Sequence, residues 1–526
     1  MSLQFITGNS GNGKTKYLFN RIVKEAKANP RDNYLVIVPE QFTMQTQRQL
    51  VDLSENKAIM NIDVLSFKRL AYRVFDELGI TNLTVLEETG KNLVLRKLAA
   101  QEADKLGGIG RNLNRIGYIS EVKSLLSELV QYNISPEELG RYIDSGSLSD
   151  TLSGKLKDVL VLYEAFEKFM QDKYITAEEI LNVLCNVADE SAILRNSVIA
   201  FDEFTGFTPI QNQLIKKLFV ISKKIYVTLT IDCREDIFKS RGMQELFDMP
   251  KRTVKSLTEM AAFYGIEVEE PIILDKNYRL AENEELSFME QQLFRKRRHS
   301  FEKAPKHIHI DCLRDPKQEL TKIARRINEL VRNENLRYRD IAIVTGDVNI
   351  YAGYVREIFD KYNIPYFIDA TQEILFHPFI EFIRSIPDIA AQNFSADAVF
   401  RFLRCGFTEL SDSEIDVLEN YVLACGVRGK SAWDKKWVRL PKHKACYDLE
   451  LLNQSREYIM ELLKPVYQVF SDKKSTVKDY VLAIYKLIVL LDIPDKLAKK
   501  EQALLDAGDQ TASKEYGQIY KIVMQL

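Results

Sequence analysis

Apolar residues along the first 38 positions switch between two periods. Leu3 to Thr7 is a short run of strand type, and Thr15 to Ala26 then spaces Leu18, Phe19, Ile22, Val23 and Ala26 at helical intervals. Tyr34-Leu-Val-Ile-Val38 follows as a continuous β-branched run, the pattern of a strand buried on both faces. Together they predict a βαβ unit. Ile62 to Ser66, Val198 to Phe201 and Ile225 to Thr230 have the same character and predict further strands of one parallel sheet. About 130 residues separate the third predicted strand from the fourth, far more than the dozen or so that a crossover requires. That interval is helical in pattern (Asn92 to Glu102, Ile119 to Tyr132, Leu156 to Asp172, Ala177 to Asp189), so a helical domain is expected inside an α/β domain.

A basic, proline-containing stretch from Phe294 to Lys306 reads as a linker, with Arg295 to Arg298 as its solvated cations. A second α/β unit is expected after it. His307 to Cys312 alternates like a strand, Glu319 to Arg332 has helical spacing, Asp340 to Thr345 reads as a buried strand, and Tyr351 to Tyr362 as another helix. Beyond about Phe379 the pattern is helical to the end. The expected map is therefore a first α/β domain over 1–86 and 191–293 interrupted by a helical insertion at 87–190, a linker at 294–306, the first part of a second α/β domain at 307–385, and a second helical insertion at 386–526.

Composition narrows the class. At roughly 100 to 200 residues per domain, 526 residues predict several domains. With 46% hydrophobic residues and only 22 Gly and 14 Pro, the chain can fill several cores. Lys and Arg number 73 against 75 Asp and Glu, a net charge of −2, which excludes a basic coat protein and confines any nucleic-acid site to a local groove. The six cysteines, Cys185, Cys233, Cys312, Cys405, Cys425 and Cys446, lie far apart without metal-ligand spacing and are expected to be reduced and mostly buried. The N-terminus lacks the basic start of a signal peptide. The longest apolar stretch, Val481 to Leu491, contains Lys486 and falls short of the ~20 residues a bilayer demands. A cytoplasmic protein with no membrane partner is the expectation.

Gly8-Asn9-Ser10-Gly11-Asn12-Gly13-Lys14-Thr15 satisfies GxxxxGK[ST] between a predicted strand and a predicted helix. In such a loop, glycines let backbone N–H groups wrap a phosphate, Lys14 reaches the β/γ-phosphates of ATP, and the Thr15 hydroxyl ligates Mg²⁺. Val198-Ile-Ala-Phe-Asp202-Glu203 is an apolar strand ending in paired carboxylates, where Asp202 would hold Mg²⁺ and Glu203 would orient an attacking water. Glu121-Val-Lys123 carries no nuclease reading, because no Asp stands on a preceding strand. The five His residues (His299, His307, His309, His377, His443) show no metal spacing.

This combination, followed by Phe204, Gln211 and Leu274-Asp-Lys-Asn-Tyr-Arg279, resembles the first half of a UvrD-type superfamily 1 helicase. Further segments are similar to one branch of it: Val38-Pro-Glu-Gln-Phe-Thr43, Leu65-Ser-Phe-Lys-Arg-Leu-Ala-Tyr-Arg73, Phe204-Thr-Gly-Phe-Thr-Pro-Ile-Gln211, Ile364-Pro-Tyr-Phe-Ile-Asp369, His377-Pro-Phe-Ile-Glu-Phe-Ile383, and Leu418 to Gly429. That branch is AddB, one of the two subunit types of bacterial AddAB helicase-nucleases, related to RexB. The resemblance covers essentially the whole chain.

It implies P-loop RecA-like domains, a place in double-strand-break repair, an AddA-type partner, single- and double-stranded DNA as substrates, and scanning of the single strand for the hotspot Chi. Arg279 would join the nucleotide site. Gln41, Thr43, Arg69, Tyr72, Phe204 and Phe207 follow predicted strand ends, where open α/β sheets form their crevices, and would contact DNA by stacking and hydrogen bonding. Each aromatic taken alone is more often a core residue, and it is the resemblance that directs the group to a single-strand path.

Departures from an active motor are equally plain. The loop starts at Gly8, without room for the glutamine motif that reads adenine in UvrD-type enzymes, and the Gly-Asp-x-x-Gln coupling motif is replaced by Thr230-Ile-Asp-Cys-Arg234. Coupling of nucleotide to DNA movement is expected to be lost, with residual ATP hydrolysis at Asp202 and Glu203 at most. An autonomous helicase, or a P-loop scaffold with structural nucleotide, remain the alternatives. Ser513 to Leu526 reads as a helix that stops without a closing signal, so a fragment of a chain about twice as long is expected. By resemblance the remainder would carry a nuclease domain with a 4Fe-4S cluster.

Overall fold

In the computed structural model, residues 1–81, 84–107, 116–145, 148–171, 174–295, 299–369, 374–441 and 447–525 are described. They form two compact units, Met1–Ile310 and Asp311–Leu526.

The first unit is built on a parallel sheet. Its central strands are β1 (Ser2–Gly8), β2 (Tyr34–Ile37) and β3 (Ile62–Leu65). A small pair follows, β4 (Val85–Leu86) with β5 (Ile175–Thr176), and then β6 (Val198–Phe201), β7 (Lys224–Thr230), β8 (Glu267–Val268) and β9 (Ile272–Leu274). The main sheet runs β3-β2-β6-β7-β1-β8, with β9 also on β1, and every pairing is parallel. The period of two sorts side chains cleanly between its faces. Leu3, Phe5, Leu35, Ile37, Ile199 and Phe201 enter one core cluster, while Ile6, Tyr34, Val36, Val198 and Ala200 enter the other. Helices α1 (Lys14–Ala28) and α2 (Thr43–Leu53) cover the second face, and α3 (Phe67–Leu78) covers the first.

The long interval between β3 and β6 is the expected helical insertion. Helices α4 (Glu88–Gln101), α5 (Ile116–Gln131), α6 (Pro136–Asp144) and α7 (Asp150–Met170) close their own core around Leu95, Leu126, Leu139, Leu162 and Phe166. The pair β4 and β5 pins its entry beside its exit. Buried Lys91 ties α4 to the exit through Glu178 at 2.7 Å and also pairs with Glu88 of its own helix at 2.8 Å, while Lys123 of α5 pairs with Glu88 and so joins α5 to α4. Helix α8 (Ile180–Val187), expected from the sequence to belong to the insertion, instead packs Ile180, Leu184 and Cys185 into the sheet's core. Helices α9 (Pro209–Ile221) and α10 (Asp248–Phe263) complete that layer, and α11 (Glu284–Gln292) follows β9.

In the second unit α12 (Pro316–Asn333) and α13 (Val348–Lys361) pack through Leu320, Ala324, Ile327, Ile358 and Phe359. The strands expected at His307 to Cys312 and Asp340 to Thr345 are not formed. A strand needs a neighbour to satisfy its backbone, and no strand lies in the second unit among the described residues. Their apolar residues are accordingly not buried: Ile310 is 94% and Val344 92% exposed.

Eight further helices share one core: α14 (Pro378–Ala391), α15 (Ala396–Leu403), α16 (Asp412–Cys425), α17 (Lys430–Trp433), α18 (Leu449–Ser471), α19 (Val477–Leu490), α20 (Ile493–Asp506) and α21 (Gln510–Gln525). His377 caps α14, its Nδ1 accepting from the Phe379 N–H at 3.1 Å. No described helix is long and apolar enough to cross a membrane. The described cysteines are free, but only Cys185 is buried, against the expectation that most would be; Cys446 and His443 lie outside the described residues.

Candidate functional site

The expected phosphate loop runs from the end of β1 into α1. Gly13 occupies the N-cap of α1 with φ 78°, a left-handed conformation that favours glycine, and no side chain caps the helix, so its first N–H groups face the loop. Gly11, at φ 89°, leaves no room for a side chain: a Cβ there would lie 2.7 Å from Asn277 Oδ1. Lys14 Nζ donates to the carbonyls of Gly8 (3.1 Å) and Asn9 (3.0 Å) at the loop's own rim. Burial lowers the pKa of its ammonium, with Glu203 and Asp202 opposing.

Strand β6 delivers the acidic pair to the same place. Thr15 Oγ1 lies 3.3 Å from Asp202 Oδ1 and 3.3 Å from Glu203 Oε1. Asp202 is 1% exposed; its Oδ1 also accepts from the Thr228 hydroxyl, and its Oδ2 has no protein partner. Burial raises its pKa, and the neighbouring Glu203 adds to the rise. Glu203 is held at φ 64° and is exposed.

Strand β9 lies on β1, and this places the segment after it over the loop. Asn277 Nδ2 donates to Ser10 O at 3.0 Å, the Tyr278 N–H donates to Gly11 O at 3.0 Å, and Arg279 Nη1 reaches Ser10 Oγ at 3.5 Å. The result is a cavity of about 720 Å³ whose wall includes Lys14, Thr15, Asp202, Glu203, Tyr278 and Arg279. Sequence pattern alone does not assign Tyr278 or the α2 residues Gln49 and Asp52, which line the same cavity. Nor does it foresee that Asn9 bonds away from the cavity, donating to Glu290 (2.6 Å) and accepting from the Cys233 N–H (2.9 Å).

After β7, where the coupling motif is replaced, Asp232 is clamped by Arg234 (2.6 Å) and Arg295 (2.7 Å). Burial acts to raise the Asp232 carboxyl, but hydrogen bonds from Arg234 outweigh it and hold the pKa at about 2. Arg295 is thus no solvated linker cation, since it also lies over the Phe247 ring at 5.2 Å; residues 296–298 lie outside the described residues.

The residues expected to contact DNA fall at the same C-terminal edge of the sheet, in three environments. Gln41, Arg69 and Tyr72 are exposed, the last two on one face of α3, whose cap is Ser66 Oγ accepting from the Arg69 N–H. Phe204 and Phe207 are half-buried in an aromatic cluster with Phe67 and Phe201, at centroid distances of 5.3 to 6.3 Å. Thr43 is turned inward, 5% exposed with its hydroxyl donating to Glu40 O at 3.0 Å, so it presents nothing to a strand. A groove of about 400 Å³ beside them is lined by Glu40, Lys68, Phe204 and Gln211. Gln211 also closes the capping box of α9 with Thr208.

A family model described as "ADDB, N-terminal" matches residues 5–290. The B subunit of the ATP-dependent helicase/deoxyribonuclease of Lachnoclostridium phytofermentans is 38% identical over the whole chain, that of Caldanaerobacter subterraneus subsp. tengcongensis 32%, and that of Clostridium novyi 31%. The chain spans about half the length of these curated relatives, 46% of each. With the family match running from β1 across the glycine-rich loop 8–15, the acidic strand end and the segment carrying Arg279, this chain belongs to the AddB family.

Proposed function

We propose that the chain is the helicase-like part of an AddB protein that binds Mg-ATP in the loop cavity and single-stranded DNA along the adjacent sheet edge. The observation that carries this reading is the meeting of Lys14, Thr15 and the acidic pair across β1 and β6, with Asp202 Oδ2 left without a protein partner. A buried carboxylate oxygen and an adjacent hydroxyl suit a hard cation that takes oxygen ligands. Thr15 and Asp202 would hold Mg²⁺, which when bound would neutralise charge on the β- and γ-phosphates. The loop residues 8–13 and Lys14 would bind the phosphates, Arg279 would approach them from the segment after β9, and Tyr278 would offer its exposed ring to the base.

In this reading the sheet domain and α4–α7 are the first RecA-like domain and its insertion, and the second unit would contribute the first part of a second such domain, reduced here to α12 and α13, with the helical insertion that follows it. Gln41, Arg69, Tyr72, Phe204 and Phe207 line a single-strand path used to scan for Chi, with an AddA-type partner supplying the motor. The Asp232 clamp supports loss of coupling, because the carboxylate that follows β7 is already engaged by two arginines. Equilibrium dialysis tests the nucleotide reading: the chain should retain labelled ATP with Mg²⁺ and release most of it on chelation. No retention in the presence of Mg²⁺ would remove the proposal.

A further inference from the structure

Residues Arg428 to Pro441 carry Arg428, Lys430, Lys435, Lys436 and Arg439 against a single carboxylate, Asp434, in a chain whose net charge is −2. A run of cations is ordinarily just a solvated face. This one is held in place by buried polar side chains. After α17 the backbone continues to Leu440 outside helix or strand, and helices α16 and α18 supply its hydrogen bonds. Asn453 Oδ1 accepts from the Trp437 N–H and its Nδ2 donates to Trp437 O, both at 2.9 Å. Arg456 donates to Trp433 O at 2.9 Å, and the Tyr421 hydroxyl donates to Arg439 O at 2.7 Å. Asn453 and Arg456 are each 5% exposed, and burying such groups is costly unless they are fully bonded. The Trp433 and Trp437 rings, 5.2 Å apart, anchor the ribbon in the core.

The outward side is cationic. Arg428, Lys435, Lys436 and Arg439 are exposed, and none has an ion-pair partner among the described residues. Lys430 differs, pairing with Asp434 at 2.6 Å and lying over the Tyr467 ring.

We propose that this ribbon is a docking surface for the phosphate backbone of duplex DNA. Four cations without an ion-pair partner among the described residues, carried on a backbone held in place, complement a polyanion, and such contacts position a protein without reading sequence. Single strands are commonly held on aromatic platforms, whereas here both indoles face inward and the outward apolar residues are the aliphatic Val438 and Leu440. The surface lies on the second unit and does not depend on the nucleotide reading.

Fluorescence anisotropy of the full 526-residue chain with a short labelled duplex, across a salt series, tests it. Lys435→Glu with Lys436→Glu should weaken duplex binding at least about tenfold and flatten the slope of log affinity on log salt by about 1.8, at about 0.9 per lost phosphate contact. Arg428→Gln with Arg439→Gln should act in the same direction, and the melting temperature and single-strand affinity should stay at wild-type values in both. Absence of duplex binding by the wild-type chain, an unchanged slope in either folded variant, or an equal loss for single strands would overturn the proposal.

Discussion

Asp202 stands between two states of the site. Its folded-state pKa is raised above 3.8, first by burial, so the folded protein holds this proton more tightly than the unfolded chain does. The stability it contributes is complete below pH 3.8 and declines as pH rises through the folded pKa. Asp202→Asn, which removes the charge and keeps the shape, should therefore raise the melting temperature of the nucleotide-free chain at neutral pH, with the gain shrinking toward acid pH. The same variant should lose the Mg²⁺ dependence of ATP binding. Melting curves across pH, with and without Mg-ATP, check both, and a variant less stable than wild type at neutral pH would show that the buried carboxylate is compensated.

Helix α3 carries two of the residues proposed to contact DNA, Arg69 and Tyr72. Its inner face packs Phe67, Leu70, Ala71, Val74 and Phe75 on the sheet, leaving Arg69 and Tyr72 exposed, with one edge of the Tyr72 ring against Phe75. Arg69→Ala with Tyr72→Ala should lower single-strand affinity by roughly tenfold or more, since base stacking alone contributes about 1 to 3 kcal/mol per ring. Thr43→Ala should leave that affinity unchanged, its hydroxyl being spent on Glu40 O; anisotropy with a labelled oligonucleotide separates the two outcomes. At this scale the sequence is legible where burial is two-sided: β1, β2, β6 and β7 are apolar runs, and that pattern alone identifies them as strands. Strands β8 and β9 are two and three residues long and only partly buried, and their assignment comes from pairing with β1 rather than from local pattern. Ile310 sits in a strand-like alternation and Val344 in an apolar run of buried-strand type, yet neither pattern has a partner strand, and both residues remain in solvent.

Over the whole molecule, the first unit joins a complete two-faced sheet to a site assembled from residues far apart in sequence. Asn277 and Tyr278 reach the loop across more than 260 residues, and no periodicity could announce that Tyr278 would line its cavity. The loop and the acidic strand end are legible because each is a local pattern. With the Asp232 clamp in place of a coupling motif, the chain alone should not displace a strand from a partial duplex when given Mg-ATP; displacement in a gel assay would show that coupling survives. Mg-ATP binding at the glycine-rich loop is measured most directly by calorimetric titration of Mg-ATP into wild type and Lys14→Ala. Loss of this ammonium from the loop should weaken binding at least about tenfold, some 1.4 kcal/mol, with folding preserved. An undiminished affinity in the variant would contradict the account.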